Sequence, residues 1–284
     1  MHRNKIASRN NQKNKILIAY HSGSGSTRTI SEVLKNRLSD NFKVDQVKIC
    51  KNFDYNILSG YGLLILGYPT YYFKPSISTL KFVNKLPVFK NKIQVYIFTT
   101  YGLYSGNSIR TLAGMLAEKN AIVTGYMQIR GPASDGALLL PSFFKLFFRY
   151  ERKANKKVDR MIEEIRRLLK NPGKISKTPL PRWYSPVTRI FYKQIHGIDY
   201  SSYKKNLKVL EDRCTNCNEC VDDCIRSCWR EGKDLPSINT DSCEFCLKCV
   251  HNCPDKAIVF TDRMKDSPRL DKLFYKKLKE KTFQ

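Results

Sequence analysis

No run in this chain of 284 residues is apolar for the roughly 20 residues that a membrane-spanning helix needs. Its start, Met1 to Lys15, is polar and basic without an apolar core, so it does not read as a secretory signal. Acidic residues are scarce, 25 against 51 Lys and Arg, which leaves a net charge of +26. The common nucleotide signatures are missing as well. No glycine-rich loop ends in Gly-Lys-Ser/Thr, and Arg28 stands where the third glycine of G-x-G-x-x-G would fall. These gaps disfavour an integral membrane protein, an exported protein, a P-loop NTPase and an enzyme driven by NAD(P)H alone.

Cysteine, by contrast, is plentiful, with ten in the chain. Eight of them form two copies of one pattern. The first is Cys214-x2-Cys217-x2-Cys220-x3-Cys224; the second is Cys243-x2-Cys246-x2-Cys249-x3-Cys253, followed by Pro254. Disulfides would need an oxidising compartment, and zinc ribbons use isolated C-x2-C pairs. The doubled run is the pattern that holds two 4Fe–4S clusters in small bacterial ferredoxins, with the fourth cysteine of each run crossing to the other cluster. The expected ligand sets are Cys214, Cys217, Cys220 and Cys253 for one cluster, and Cys243, Cys246, Cys249 and Cys224 for the other. Ile225 stands where a proline usually follows such a run. Cys228 is a ninth nearby thiol, expected to be packed or to serve as a spare ligand, and Cys50 is expected to be buried and inert. This cysteine usage implies a reducing, cytoplasmic setting in an anaerobic or microaerobic cell.

The charge is unevenly spread. Residues 206–260 carry 7 basic and 10 acidic residues, whereas the first 205 carry 36 and 11. Each oxidised cluster with its thiolates would add about −2 more. A negative C-terminal unit is thus joined to a positive body, a field suited to steering an acidic redox partner. A simply solvated, lysine-rich surface is the plainer account. The positive charge forms no recognised nucleic-acid motif, so nucleic acid is not the expected partner.

The first half alternates between short apolar runs and helical spacing. Strands are expected at Lys15–Tyr20, Phe42–Ile49, Gly62–Gly67, Ile93–Thr99 and Ala121–Ile129. Helices are expected at Arg28–Leu38, Ser76–Leu86, Ser108–Lys119 and, as one long helix, Phe143–Lys170. That order implies an α/β fold, a doubly wound parallel sheet of five strands with helices on both faces. Ligands of such sheets bind beyond the carboxyl ends of the strands. There the first loop reads Ser22-Gly23-Ser24-Gly25-Ser26-Thr27 and opens into a helix. Glycines, hydroxyls and a helix N-terminus make a phosphate cradle. The loops after the third and fourth strands, with Pro69, Thr70, Tyr71 and Tyr72, and with Thr100, Tyr101, Gly102, Tyr104 and Gly106, offer aromatic faces and hydroxyls beside a flat redox ring.

On these loops and the cysteine runs the chain resembles the flavodoxin–ferredoxin fusion proteins of anaerobic bacteria and archaea. The resemblance implies a flavodoxin-like domain over 15–170, a linker over 171–205, a small α+β two-cluster ferredoxin domain over 206–261 and a basic tail over 262–284, after a disordered basic N-terminus over 1–14. It implies FMN, held at its phosphate by the Ser22–Thr27 loop and at its isoalloxazine by the two aromatic loops. Ser26 replaces a common asparagine, and His21 precedes the loop where a small or hydroxyl residue is frequent.

The rest of the chain is less specific. Leu138–Phe148 is apolar enough for peripheral membrane contact but too short to span, and a helix packed on the sheet is the alternative. Trp183, Tyr184, Phe191 and Tyr192 suit a wedge between domains, and the tail suits a cap on the ferredoxin unit or a partner contact. The expected function is electron transfer between two 4Fe–4S clusters and FMN, coupling a low-potential carrier to a redox partner, whether an acidic ferredoxin or flavodoxin or a larger oxidoreductase. Two other readings stay open: a ferredoxin-dependent reductase of a quinone or porphyrin precursor, and a cluster-based redox sensor or adaptor.

Overall fold

A computed structural model describes residues 15–58, 60–140, 143–170, 180 and 201–284. In chain order its main elements are β1 (Lys15–Tyr20), α1 (Ser26–Leu38), β2 (Lys43–Lys48), β3 (Leu63–Tyr71), α2 (Ile77–Asn84), β4 (Ile93–Tyr101), α3 (Ser108–Glu118), β5 (Ala121–Arg130), α4 (Ala154–Lys170) and α5 (Lys272–Thr282). The five strands are parallel in the order β2-β1-β3-β4-β5. This is the flavodoxin-like order of a doubly wound sheet. The near-continuous apolar strands β1, β3 and β4 take the centre, buried on both faces as parallel strands must be. The charged KVDQVK of β2 occupies an edge.

Side-chain alternation divides the core. Ile16, Ile18, Ile65, Phe98 and Ile129 face α1 and α4. Leu17, Ala19, Leu66, Val95 and Ile97 face α2 and α3. All strand carboxyl ends meet at one edge, so the loops after β1, β3, β4 and β5 converge there.

Several expectations are corrected. Helix α1 begins at Ser26, not Arg28, so the hydroxyl loop runs straight into it. Strand β3 continues to Tyr71 because a two-residue strand, Lys74–Pro75, folds back on it through a turn with Tyr72 and Phe73 at positive φ. The long helix over 143–170 is broken. A 3-10 turn at Lys145–Phe148 gives way to extended Arg149, and α4 starts only at Ala154. The break lets buried Tyr150 reach back to α1, where its hydroxyl donates to the Ser26 carbonyl at 2.8 Å. Leu138 is buried, but Phe143 is 71 % exposed and Leu139, Leu140, Phe144 and Leu146 also face solvent. Cys50 is exposed, not buried, because the chain turns outward after Ile49, whose side chain fills the core. Among the described residues no helix is long and apolar enough to cross a membrane. The N-terminus over 1–14 and the four aromatics expected to wedge the domains lie outside the described residues, as does most of the linker over 171–205.

Residues 206–261 are built from little regular structure: a Lys208–Val209 to Ile258–Val259 ladder, a Trp229–Arg230 to Ser237–Ile238 ladder, and helices of four and five residues. Their core is Leu207, Leu210, Trp229, Phe245, Leu247, Val250, Ile258, Val259 and Phe260, with Met264 and Leu138. The first part of the tail packs on this unit, with Met264 in its core, Asp262 paired with Lys208 at 3.1 Å, Asp266 with Arg213 at 3.2 Å, and the Leu270 N–H donating to His251 at 3.0 Å; the rest turns away to the sheet. Its helix α5 lies on α1, with Lys279 bonded to Glu32 at 2.9 Å, the Arg37 guanidinium donating to the Phe283 carbonyl at 2.7 Å, and Phe283 packed edge-on against Tyr150.

Candidate functional site

The loops at the carboxyl edge of the sheet enclose a cavity of about 350 Å³, within the range of cofactor sites. Its wall contains Ser22, Gly23, Ser24, Gly25, Ser26, Thr27, Pro69, Thr70, Tyr71, Tyr72, Thr100, Tyr101, Gly102 and Tyr104. Gly106 does not line it. Its φ of 56° and the Phe73 carbonyl 2.4 Å from where a Cβ would sit make it the support beneath Phe73. Leu103, within the second aromatic loop, lines it too; Phe73, Pro132–Gly136, Leu139, Leu140 and Phe147 also line the cavity, and sequence reasoning missed them. The 132–136 loop follows β5 at the same sheet edge, so the rule that exposed the other loops would have found it.

The loop after β1 fits an anionic headgroup. Helix α1 has Gly25 at its N-cap and no side-chain cap, so its first N–H groups are open to an anion. Ser22 Oγ is buried without a partner. The other hydroxyls are tethered: Ser24 to Ser134 and to Tyr275 at 3.0 Å, Ser26 to Tyr150 at 3.3 Å, and Thr27 to Thr100 at 2.7 Å. A Cβ on Gly25 would lie 2.4 Å from the Tyr275 ring, so α5 backs the loop from outside the cavity.

The two cysteine runs fold as repeats of each other. Asn216 and Asn218 flank Cys217, Phe245 and Leu247 flank Cys246, and all four have positive φ. Ser227 and Lys256, each three residues past the fourth cysteine, share the same conformation. Backbone N–H groups are thereby turned onto sulfur. Cys228 N–H meets Cys224 Sγ, Ala257 N–H meets Cys253 Sγ, and Phe245 N–H meets Cys243 Sγ, each at 3.3 Å. Cys214, Cys217, Cys220 and Cys253 line one cavity. Cys243, Cys246, Cys249 and Cys224 line a second, which Cys220 and Cys228 also reach. Among the described residues no three candidate ligands converge on a single ion. A four-iron cube holds its thiolates farther apart than one tetrahedral ion does, and eight thiols around two cavities fit such cubes. Cys228 is buried between Cys224 and Cys243, and its thiol hydrogen bonds hold both of those below the usual thiol range. Burial pushes Cys246 and Cys249 up, and Cys220 up to about 11.

The second run is packed against the loop after β1. Phe245 and Leu247, flanking Cys246, are part of the wall of the large cavity. Buried Glu244 accepts from Ser78 N–H at 2.8 Å and from Ser78 Oγ at 3.0 Å, and lies 3.1 Å from His21 Nε2. Burial pushes the Glu244 carboxyl up, but the His21 and Ser78 hydrogen bonds outweigh it and hold the group below the usual carboxylate range. His21 thus spends the position before the loop on this contact, and Ile225 packs against the core on the α2 and α3 face. Both departures from the resembled pattern serve the seam between the two units. Replacing Glu244 by Ala leaves three buried donors unanswered, and we expect a loss of about 3 kcal/mol. A lowered urea midpoint at constant slope would report it; an unchanged midpoint would mean the seam contributes nothing.

No family model matches the chain. A ferredoxin of Rickettsia felis (strain ATCC VR-1525 / URRWXCal2) is 42 % identical over 52 residues, which are 18 % of this chain and 48 % of that protein. The chain thus spans about half the length of this curated relative. Among solved structures, a flavodoxin from the domain Archaea superposes with a TM-score of 0.41 at 19 % identity, covering 55 % of this chain and 99 % of that one. Oxidised Flavodoxin 2 from Bacillus cereus gives 0.41 at 20 %, covering 54 % and 98 %. The rubredoxin oxygen:oxidoreductase of Desulfovibrio gigas gives 0.39 at 22 %, covering 57 % and 37 %. The chain joins a domain of flavodoxin-like strand order to a cysteine-rich segment similar in sequence to a ferredoxin.

Proposed function

We propose that this protein is an electron-transfer flavoprotein carrying two 4Fe–4S clusters and FMN, coupling a low-potential carrier to a redox partner. The observation that carries the reading is the shared wall: the residues flanking Cys246 line the same cavity as the Ser22–Thr27 loop. Cys214, Cys217, Cys220 and Cys253 would hold one cluster, and Cys243, Cys246, Cys249 and Cys224 the other. The N–H groups at the start of α1, with Ser22 Oγ, would hold the FMN phosphate. Tyr71, Tyr72, Tyr101 and Tyr104 would flank its ring. When bound, the clusters supply one-electron transfer and FMN supplies one- or two-electron transfer. The protein's own part is to hold the groups close, exclude water from the seam and present a positive body to an acidic partner. A second reading, a reductase of a small apolar acceptor such as a quinone or porphyrin precursor, is favoured by the exposed Leu103, Leu139 and Leu140 at the cavity wall.

Iron, acid-labile sulfide and FMN per chain after anaerobic purification test the first reading. About eight iron, eight sulfide and one FMN are expected. Full iron without FMN would remove the flavoprotein half of the proposal, and absence of iron would remove the other half.

A further inference from the structure

Arg269 stands just before α5 with only 8 % of its surface exposed. Its three guanidinium nitrogens touch neither water nor any hydrogen-bond partner. A guanidinium stays charged in a protein, and a buried charge without a counter-charge is strongly disfavoured. The nearby groups are engaged elsewhere. Asp266 pairs with Arg213 at 3.2 Å, and Asp271 accepts from the Phe274 N–H at 2.7 Å. His251 is neutral: its Nδ1 accepts from the Leu270 N–H, and its Nε2 donates to the Ser134 carbonyl. Because the guanidinium nitrogens are sealed from solvent, a dissolved anion does not reach them. Arg269 shares a cavity wall with Cys253, and the sulfur of that residue, a thiolate once it holds a cluster, is the leading group there to favour the charged guanidinium.

We propose that Arg269 is the fixed counter-charge of the cluster held by Cys214, Cys217, Cys220 and Cys253, and that it sets that cluster's reduction potential above its neighbour's. The inference rests on the two-cluster reading above. Adding an electron makes a cluster more negative, so a fixed cation beside a ligand sulfur favours the reduced form. Around the other site Lys248 and Lys48 pair with the Asp223 carboxylate, the Arg226 guanidinium keeps its charge but bonds the Ser242 carbonyl at the surface, where water screens it, and the buried ionisable neighbour is the carboxyl of Glu244. The two clusters therefore reduce in separate steps, the one on Cys253 first. Arg269 acts through the cluster's surroundings and touches no substrate; it is a positioning charge.

The test is an anaerobic redox titration followed by electron paramagnetic resonance on full-length protein, wild type against Arg269→Met, Arg269→Gln and Arg269→Lys, with iron and sulfide counted on each. The neutral variants should lower one of the two potentials by at least tenfold in the reduction equilibrium, about 59 mV for one electron. The lysine variant should recover most of that shift, and the second potential should stay in place. Unmoved potentials in an iron-replete Met or Gln variant overturn the proposal. So does an equal shift in the lysine variant, which would indicate packing and not charge, and so does iron loss in both neutral variants, which would make Arg269 an assembly residue. Wild-type protein without eight iron fails the two-cluster reading itself, an outcome the iron count separates from the others.

Discussion

Chelating the iron from this protein is expected to unfold residues 206–261 and leave the five-stranded sheet intact. The cysteine-rich unit has helices of four and five residues and ladders of two, far below the length at which such elements hold themselves. Six of its non-glycine residues, Asn216, Asn218, Ser227, Phe245, Leu247 and Lys256, sit at positive φ. Each costs on the order of 1 kcal/mol, least for the asparagines. A core of about a dozen side chains leaves little to offset that cost. Structural metal sites in small domains supply on the order of 10 kcal/mol, so losing the metal should decide the outcome. The sheet has its own core on both faces, filled by fully buried residues such as Ile16, Ile65 and Phe98 on one and Leu66 and Ile97 on the other. Amide exchange before and after anaerobic chelation reads the difference: protection over 206–261 should fall at least a thousandfold while that of β1, β3 and β4 holds. Equal protection with and without iron would show that the unit folds without its metal and would count against the cysteine assignment.

Replacing Gly23 by Ala should weaken FMN binding at least a hundredfold, about 2.8 kcal/mol. A Cβ there would lie 2.1 Å from the Tyr71 hydroxyl and 2.9 Å from the Cys246 carbonyl. The tyrosine is half-buried on the cavity wall, its hydroxyl pushed well above its ordinary pKa by burial, and the room it has to swing into is the cavity itself. The carbonyl belongs to a cysteine in the middle of its run. Relief therefore has to move either the cavity wall or a cluster ligand, and the loop after β1 with it. Gly114 is the matched control, since a Cβ there meets nothing within 4 Å. Fluorescence titration of flavin into flavin-free protein measures both variants. Wild-type affinity in Gly23→Ala would place the phosphate away from this loop.

Much of this molecule is local chemistry that a reader of the sequence can follow. The x2 spacings of the cysteines, the hydroxyl–glycine alternation after β1, and the apolar runs of β1, β3 and β4 act within a few residues, and each declares its conformation through its own side chains. Where a residue's role depends on a distant partner, that legibility ends. Arg149 reads as helix because its spacing is helical; it is extended because Tyr150 finds Ser26, more than a hundred residues away, a better neighbour than its own helix. Gly106 reads as a ring contact, but its positive φ serves the carbonyl of Phe73.

By itself the sequence determined the sheet, the order of its parts, the hydroxyl loop and the two cysteine runs, since these follow from periodicity and spacing along the chain. Only the tertiary structure decided that Phe245 and Leu247 wall the cavity of the other unit, that His21 meets Glu244, that α5 backs the hydroxyl loop with Tyr275, and that Arg269 is sealed beside Cys253. Those contacts join residues up to 251 positions apart, and they form because each unit leaves buried polar or apolar surface that only the other can cover.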